Sequence, residues 1–199
     1  MKTILSLCDY SGNWPTPYRE AGYDVVQVDL KHGDDVRLYE HLGRPVHGIL
    51  AAPPCTPFAG SGAQWWPKHD AEGSTLDGLA LVDACLRAVA VYRPEWWALE
   101  NPVGRLYRWL GKPVMYFHPY EYAGYADDPA VDAYTKKTAL WGQFTRPEKR
   151  PVEPVFYTTS TGKRGSWMFA HLGGKSERTK ELRSVTPMGF ARAFYEVNA

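Results

Sequence analysis

The sequence predicts an α/β protein with a mostly parallel sheet and helices on both faces. Strands that alternate with helices are typical of parallel β-α-β units. The clearest helix runs from Leu76 to Tyr92, where apolar residues recur at helical spacing before Arg93-Pro94 ends it. Turn-forming or polar residues follow each apolar run, and ligand sites of open α/β sheets lie at such strand ends. The predicted strands are residues 2–8, 23–28, 48–52 and 96–99.

The remaining elements follow from local signals. Pro15 and Pro17 suit the start of a helix that Gly22 ends. Residues 53–75 form a long loop, and loops of this length are usually functional. Residues 145–183 read as irregular. The other predictions are a short helix after Arg37 to about Leu42, a short helix 103–110, a further strand 138–141 and a final helix from Pro187 to about Val197.

Composition sets the class of protein. The 199 residues suit one domain, and the 44% hydrophobic and 23% charged shares are ordinary for a globular chain. No apolar run approaches the ~20 residues of a membrane span, so no membrane partner is expected. The three cysteines are too few and too scattered for a disulfide framework or a zinc cluster, and the six histidines show no ligand spacing. We therefore expect no metal and a reducing cytoplasm.

Positive charge is concentrated in one segment. Residues 145–183 contain nine Lys or Arg and four Asp or Glu, a net +5, whereas the rest of the chain carries −4. Such a segment is either a phosphate-binding face or a solvated surface loop. Its candidate phosphate-binding residues are Lys163, Arg164, Lys175, Arg178 and Lys180. Trp65, Trp66 and Trp167 are candidates for stacking on bases or for packing.

Two strands end in chemically useful side chains. Cys55 follows the strand 48–52 and the stiff pair Pro53-Pro54, and Glu100 follows the strand 96–99. A cysteine beside a turn is often simply buried. However, the carboxyl ends of parallel strands share one edge of a sheet, so a thiol and a carboxyl group can face one pocket. This placement makes Cys55 a candidate nucleophile.

Asp29 ends the second predicted strand, about 20 positions after the first turn. An acidic residue there binds ribose hydroxyls in nucleotide-binding β-α-β units, although it is also a common helix cap. The first turn lacks a complete G-x-G-x-x-G pattern.

These residues resemble the DNA (cytosine-5) methyltransferase family in motif content and order. Residues 54–59, PCTPFA, resemble its nucleophile motif Pro-Cys-x-x-Phe-Ser, and residues 100–102, ENP, resemble its Glu-Asn-Val motif. Residues 7–13, LCDYSGN, resemble its first motif Phe-x-Gly-x-Gly, with Tyr10 in place of the first glycine. Residues 33–36 and 184–187 resemble its Gly-Asp-Ile and Asn-x-Val-Pro segments.

The resemblance implies a Rossmann-like class I S-adenosylmethionine-dependent methyltransferase fold. It divides the chain into a catalytic domain 1–144, a reduced target-recognition insertion 145–183, and a C-terminal helix 184–199 that returns to the catalytic domain. The family's Gln-x-Arg-x-Arg strand appears as Tyr134-Thr135-Lys136-Lys137, so Lys137 would replace an arginine, without its bidentate contacts. The short insertion suggests a minimal, phage-type member.

The resemblance also implies a mechanism and a set of site residues. Cys55 would attack C6 of a cytosine flipped out of DNA, Glu100 would hold a proton at N3, and C5 would take the methyl group. Asn101 and Lys137 would orient the base, and Ser61 lies in the loop that would close over it. The residues expected to contact S-adenosylmethionine are Asp9, Ser11, Gly12, Asn13, Trp14, Asp29, Leu30, Asp35, Val36, Pro53 and Thr186.

Other readings remain open at this point. The Cys55 and Glu100 pair suits any pyrimidine C5 alkylation, so the substrate could be a mononucleotide or an RNA, or the donor could be altered. A non-catalytic nucleic-acid-binding module is an alternative of another class. The target sequence and the oligomeric state are not set by the sequence.

Overall fold

A computed structural model describes residues 1–158, 162, 164–168 and 177–199, without the side chains of residues 177, 178 and 180. Its main sheet has the strand order β2-β1-β3-β4-β6-β5. The first four strands pair in parallel, whereas β6 pairs antiparallel with both β4 and β5. Only β6 is therefore reversed within this sheet. The strands are β1 (Thr3–Leu7), β2 (Asp24–Val28), β3 (Gly48–Ala51), β4 (Trp96–Pro102), β5 (Met115–Phe117) and β6 (Thr138–Gln143).

Helices cover both faces of this sheet, which confirms the predicted α/β, Rossmann-like fold. The helices are α1 (Thr16–Glu20), α2 (Trp66–Ala71), α3 (Ser74–Tyr92), α4 (Tyr107–Leu110), α5 (Pro129–Asp132), a basic-segment helix (Glu177–Ser184) and a C-terminal helix (Met188–Val197). Residues 156–158 and 164–166 form a separate two-stranded hairpin, β7 and β8.

Alternating side chains of the strands form two cores. On one face, Leu5 and Ile49 pack with Val82 of α3. On the other face, Ile4 and Leu50 lie in the cluster that contains the aromatic rings of the C-terminal helix. This period-two alternation explains why strands buried on both faces read as continuous apolar runs.

Four predicted elements differ from the structure. Residues 34–42 contain turns and no helix, because Asp35 accepts the backbone N–H of Arg37 and also pairs with its guanidinium group. The loop 53–75 contains a 3₁₀ helix, Gly60–Trp65, and α2. The helix expected over 103–110 is only α4. Residues 145–183, expected to be irregular, contain the hairpin and most of the basic-segment helix.

Candidate active site

The sheet order places a topological switch point between β1 and β3. The chain leaves β1 toward β2 on one side, then crosses back to form β3 on the other side. Ligands of open α/β sheets bind in the crevice at the carboxyl ends of such strands. The loops that flank this crevice begin at Cys8 and at Ala52, directly after the two strands.

The turn after β1 is organised by a buried carboxylate. Asp9 accepts hydrogen bonds from the hydroxyl groups of Ser6 and Ser11, at 3.1 and 2.9 Å, and from the N–H of Gly12 at 2.9 Å. Gly12 adopts a φ of +67°, and a Cβ there would lie 2.9 Å from the side chain of Gln27. The turn is therefore preformed and specific to glycine at this position.

Asp29 and Leu30, the candidates for cofactor contact at the end of β2, lie close to this turn. Asp29 accepts the N–H of Lys31 at 2.9 Å, so it is a cap of the following 3₁₀ turn, while Leu30 is 58% exposed. Asn13 donates from its side chain to the carbonyl of Thr186 at 3.4 Å, which brings the last predicted motif to the same turn.

Other cofactor candidates have competing structural roles. Trp14 is fully buried and packs against Phe190 and Phe194, so its indole lies in the core and not in the crevice. Val36 also lies in the core, and Pro53 is buried. The carboxylate of Asp35 is paired with Arg37, which lowers its pKa.

Cys55 begins a tight turn at the start of the β3 loop. Its carbonyl accepts the N–H groups of Phe58 and Ala59, at 2.9 and 2.8 Å. The side chain is a free thiol and is partly buried. Burial raises the pKa of the thiol, and Glu100 raises it further, whereas the positive charge of Lys136 lowers it.

Glu100 lies within β4, opposite Leu140 of β6, rather than after the strand. Burial raises the pKa of its carboxyl group, the charge of Asp9 adds to this rise, and Lys136 opposes it. Cys55, Glu100 and Lys136 therefore interact electrostatically in one site, with Asp9 of the first turn beside it. Ala51 of β3 pairs with Leu99 of β4, so Glu100 comes directly after a paired position and Cys55 lies in the loop that follows the neighbouring strand.

Asn101 holds the backbone two residues before Cys55. Its side chain is fully buried, and its Nδ2 donates to the carbonyl of Pro53 at 2.9 Å. Its Oδ1 accepts no hydrogen bond within the part of the chain that the structure describes. An unpaired buried oxygen is costly, so this atom is a candidate contact for a bound ligand.

The structure separates the two adjacent lysines. Lys137 is exposed, and its ammonium group lies 5.2 Å from the ring centre of Tyr116. Lys136 is partly buried, acts on the pKa values of both Cys55 and Glu100, and donates to the carbonyl of Arg183 at 2.9 Å. Of the two lysines, Lys136 is thus the one that acts on Cys55 and Glu100. The sequence could not distinguish it from Lys137, because the distinction depends on how the chain enters β6.

Two further residues, which the sequence did not single out, position the loop that carries Cys55, the candidate nucleophile loop. Arg105 is 3% exposed and donates to the carbonyl of Pro57 at 2.9 Å. Gly104 forms an antiparallel bridge with Ala59, flanked by a hydrogen bond from Arg105 N–H to the Phe58 carbonyl. The only sequence signal is that both residues follow the Glu-Asn-Pro segment.

The basic-segment helix reaches both sides of the crevice. Lys31, after β2, forms an ion pair with Glu181, and its ammonium group lies 4.6 Å from the ring centre of Tyr10. At the end of the helix, the Arg183 carbonyl accepts the hydrogen bond from Lys136. One helix therefore contacts the candidate cofactor side and the candidate catalytic side.

The predicted nucleic-acid contacts are only partly described. Ser61 is exposed on the 3₁₀ turn after Cys55. Arg164 is exposed on β8, with its guanidinium group 3.7 Å from the ring centre of Phe156. Lys163 and Lys175 lie outside the described residues. The backbone of Arg178 and Lys180 lies in the basic-segment helix, but their side chains are also outside the description.

The described residues contain neither a metal-binding cluster nor a membrane-spanning helix. There, no group of three or more His, Cys, Asp or Glu side chains is arranged to hold a metal ion. Within the same residues, no helix has the length and apolarity needed to cross a bilayer.

Compared with known proteins, the chain matches no family model and no curated protein. Among solved structures, it is similar to a protein provisionally described as a DNA modification methyltransferase encoded within a prophage of E. coli. The identity is 15%, the TM-score is 0.47, and the match covers 77% of this chain and 53% of the other. The chain thus spans about half the length of that structure. Function is therefore inferred from the site residues.

Proposed function

We propose that the chain transfers a methyl group from S-adenosylmethionine to C5 of cytosine in DNA, through a covalent bond between Cys55 and C6. One observation carries this proposal. The pairing of Ala51 with Leu99 brings the loop of Cys55 beside the end of β4, and there a partly buried thiol, a carboxyl group with a raised pKa and a lysine act on one another. Covalent activation of a pyrimidine requires a nucleophile and an acid in this relation.

Each residue of this group has a distinct task. The Cys55 thiolate adds to C6, and Glu100, kept protonated by burial, stabilises the ring by its hydrogen bond to N3. C5 thereby becomes nucleophilic. S-adenosylmethionine supplies the methyl group when it is bound. After transfer, the C5 proton leaves to water, the electrons of the C5–H bond re-form the C5–C6 double bond, and Cys55 departs.

Lys136, rather than Lys137, would be the lysine of the site, and its task would be electrostatic rather than the orientation of the base expected of Lys137. Burial raises the pKa of the Cys55 thiol, and Glu100 raises it further whenever its carboxyl group is ionised, which would leave the thiol protonated. The ammonium group of Lys136 opposes this rise and so favours the reactive thiolate. Lys136 also lowers the pKa of Glu100, so it sets the balance between the two groups.

The residues around the first turn fit a nucleoside donor. Asp9 holds the turn in place, and the Asp29 carboxylate lies at the end of β2, where a ribose diol is bound in this class of sheet. Asn13, Leu30 and the Thr186 segment border the same region. Trp14 and Val36 would support this site through the core rather than contact the ligand by their side chains.

The partner and its setting belong to the same proposal. The substrate would be cytosine in DNA, flipped out of the stack wherever the DNA is duplex, in the cytoplasm of a bacterial or phage-infected cell, with residues 145–183 as a reduced recognition segment. The division into 1–144, 145–183 and 184–199 remains a prediction.

The test is methyl transfer from labelled S-adenosylmethionine to duplex DNA, single-stranded DNA, tRNA and free dCMP. We expect label in DNA with the wild type and none with Cys55→Ser, which should still bind the cofactor. An oligonucleotide that contains 5-fluorocytosine should trap a covalent adduct, because fluorine cannot leave C5 as a proton does.

The controls separate the alternatives. Turnover by Cys55→Ser near the wild-type rate would refute the covalent mechanism. Label found only in dCMP or tRNA would support the proposed chemistry at C5 but would show that DNA is not the substrate. Nucleic-acid binding without any methyl transfer would favour a non-catalytic binding module.

A further inference from the structure

Two tryptophan side chains project from the surface beside the nucleophile loop. Trp65 precedes α2 and is 52% exposed, while Trp109 of α4 is 44% exposed. The guanidinium group of Arg108 lies 5.8 Å from the ring centre of Trp66, which joins the two helices at this surface. We call Trp65, Trp66, Arg108 and Trp109 the aromatic platform.

Arg105 holds the platform in place from below. Its guanidinium carbon lies 5.0 Å from the ring centre of Trp66 and 5.8 Å from that of Trp109. The same group donates to Asp70 and Thr75, both at 2.8 Å. A buried arginine with these partners fixes α2 relative to α4, so the exposed rings are supported by a rigid base.

The platform is also tied directly to the loop that carries Cys55. Arg105 donates to the Pro57 carbonyl, two residues after Cys55, and the ring of the buried Phe58 lies 5.8 Å from the ring of Trp109. A ligand that lies on the platform therefore lies near whatever reacts with Cys55.

The chemistry of the platform suits nucleobases. Exposed aromatic rings leave apolar faces in water, and a cluster of them marks an interaction surface. Every base has a π-face that can stack on such rings, and cationic side chains add attraction to phosphate. Arg108 supplies that charge within the platform, and Lys112 follows α4 directly, whereas Lys68 of α2 is already paired with Glu72 at 3.6 Å.

We propose that the aromatic platform binds unpaired nucleotides next to the target base, in a single-stranded stretch of DNA. This inference rests on the proposed function and names the strand state of its substrate. Bases inside a duplex already stack on both faces, so they cannot use exposed rings. Unpaired bases have free faces and also expose C6 of cytosine without the cost of base flipping. The platform lies outside residues 145–183 in the sequence.

The experiment is fluorescence anisotropy with a fluorescein-labelled 15-nucleotide single strand, and with the same sequence as a duplex. Trp65→Ala and Trp109→Ala should each weaken binding of the single strand about tenfold, the loss of one base stack. Trp109→Phe should retain most of the affinity. Leu38→Ala, at a residue that is 78% exposed outside the platform, is the control and should change nothing. In turnover, the platform variants should raise KM for DNA and leave kcat and cofactor KM unchanged.

Several outcomes would overturn the inference. Both alanine variants could melt like the wild type yet bind the single strand with unchanged affinity. The wild type could bind the duplex more tightly than the single strand. The variants could alter only self-association, which would assign the platform to a second copy of the chain. If one alanine variant does not fold, Arg108→Gln, at an exposed residue, tests the same surface.

Failure of the proposed function gives a different result. If binding of the single strand depends on the platform residues but no methyl group is transferred, the platform is a nucleotide-binding surface and the proposed methyltransferase activity is wrong. If methyl transfer occurs only to dCMP, with the same KM in the wild type and in Trp109→Ala, the proposed C5 chemistry is supported and the platform does not bind the substrate.

Discussion

Replacing Gly104 with alanine is expected to detach the Cys55 loop from the segment that follows β4. The backbone at Gly104 passes so close to the loop that an added Cβ would lie 1.9 Å from the Phe58 carbonyl oxygen and 2.7 Å from the N–H nitrogen of Gly60. Both are backbone atoms, so no side-chain rotation can relieve the contact. The bridge between Ala59 and Gly104 must therefore open.

The expected cost follows from the hydrogen bonds that the bridge contains. Gly60 donates to the Val103 carbonyl and Arg105 to the Phe58 carbonyl, both at 2.9 Å. Each such bond contributes about 0.5–1.5 kcal/mol to the free energy of unfolding, so the pair contributes about 2 kcal/mol. In a chain of this length that corresponds to a fall in Tm of about 4–8 °C.

Scanning calorimetry would measure this change, and mass spectrometry would follow alkylation of Cys55. Alkylation should become faster in Gly104→Ala because the loop no longer holds the thiol in its partly buried position. Gly62→Ala is the matched control in the same loop, since its Cβ would meet only the Thr56 carbonyl at 3.9 Å. A Gly104→Ala protein with unchanged Tm, alkylation rate and methyl transfer would refute the idea that the bridge positions Cys55.

Three other substitutions test the site. Lys136→Met should raise the pKa of the Cys55 thiol, so the pH profile of its alkylation should move to higher pH, whereas Lys137→Met should leave it in place; equal shifts would remove the distinction between the lysines. Burial raises the pKa of Glu100 in the folded state above its pKa in the unfolded state. The buried carboxylate therefore lowers the free energy of unfolding at pH values above the folded-state pKa, and this loss disappears at pH values below the unfolded-state pKa. Glu100→Gln should therefore raise Tm at pH 8 but not at pH 4, and the opposite pH dependence would contradict the assignment. Asp29→Ala should weaken S-adenosylmethionine binding about tenfold by calorimetry, and unchanged affinity would exclude Asp29 from the site.

The sequence was sufficient for the four parallel strands β1 to β4 and for the prediction that Cys55 and Glu100 follow neighbouring strands, but not for β5. An apolar run of strand length is a local signal, and the rule that parallel strands end at one edge of a sheet depends only on topology. Neither requires knowledge of tertiary contacts. The reversed direction of β6 was not predicted, because strand direction depends on pairing and not on the residues of Thr138–Gln143 themselves.

Details that depend on register or on tertiary contact could not be read from the sequence. Lys136 and Lys137 are chemically identical neighbours, and only their placement ahead of β6 decides which one acts on Cys55. Arg105 looks like an ordinary surface residue until its three backbone and side-chain partners are known. The helix expected before Leu42 failed because Asp35 bonds locally to Arg37.

The two contacts of the basic-segment helix have a thermodynamic consequence. The helix is joined to the end of β2 through Lys31 and Glu181, and to the catalytic group through Lys136 and the Arg183 carbonyl. A ligand that shifts the helix at one end changes the free energy of binding at the other, and such coupling must be reciprocal. Donor and nucleic acid should therefore change each other's Kd by one common factor, whichever binds first, and Lys31→Gln should bring that factor toward one.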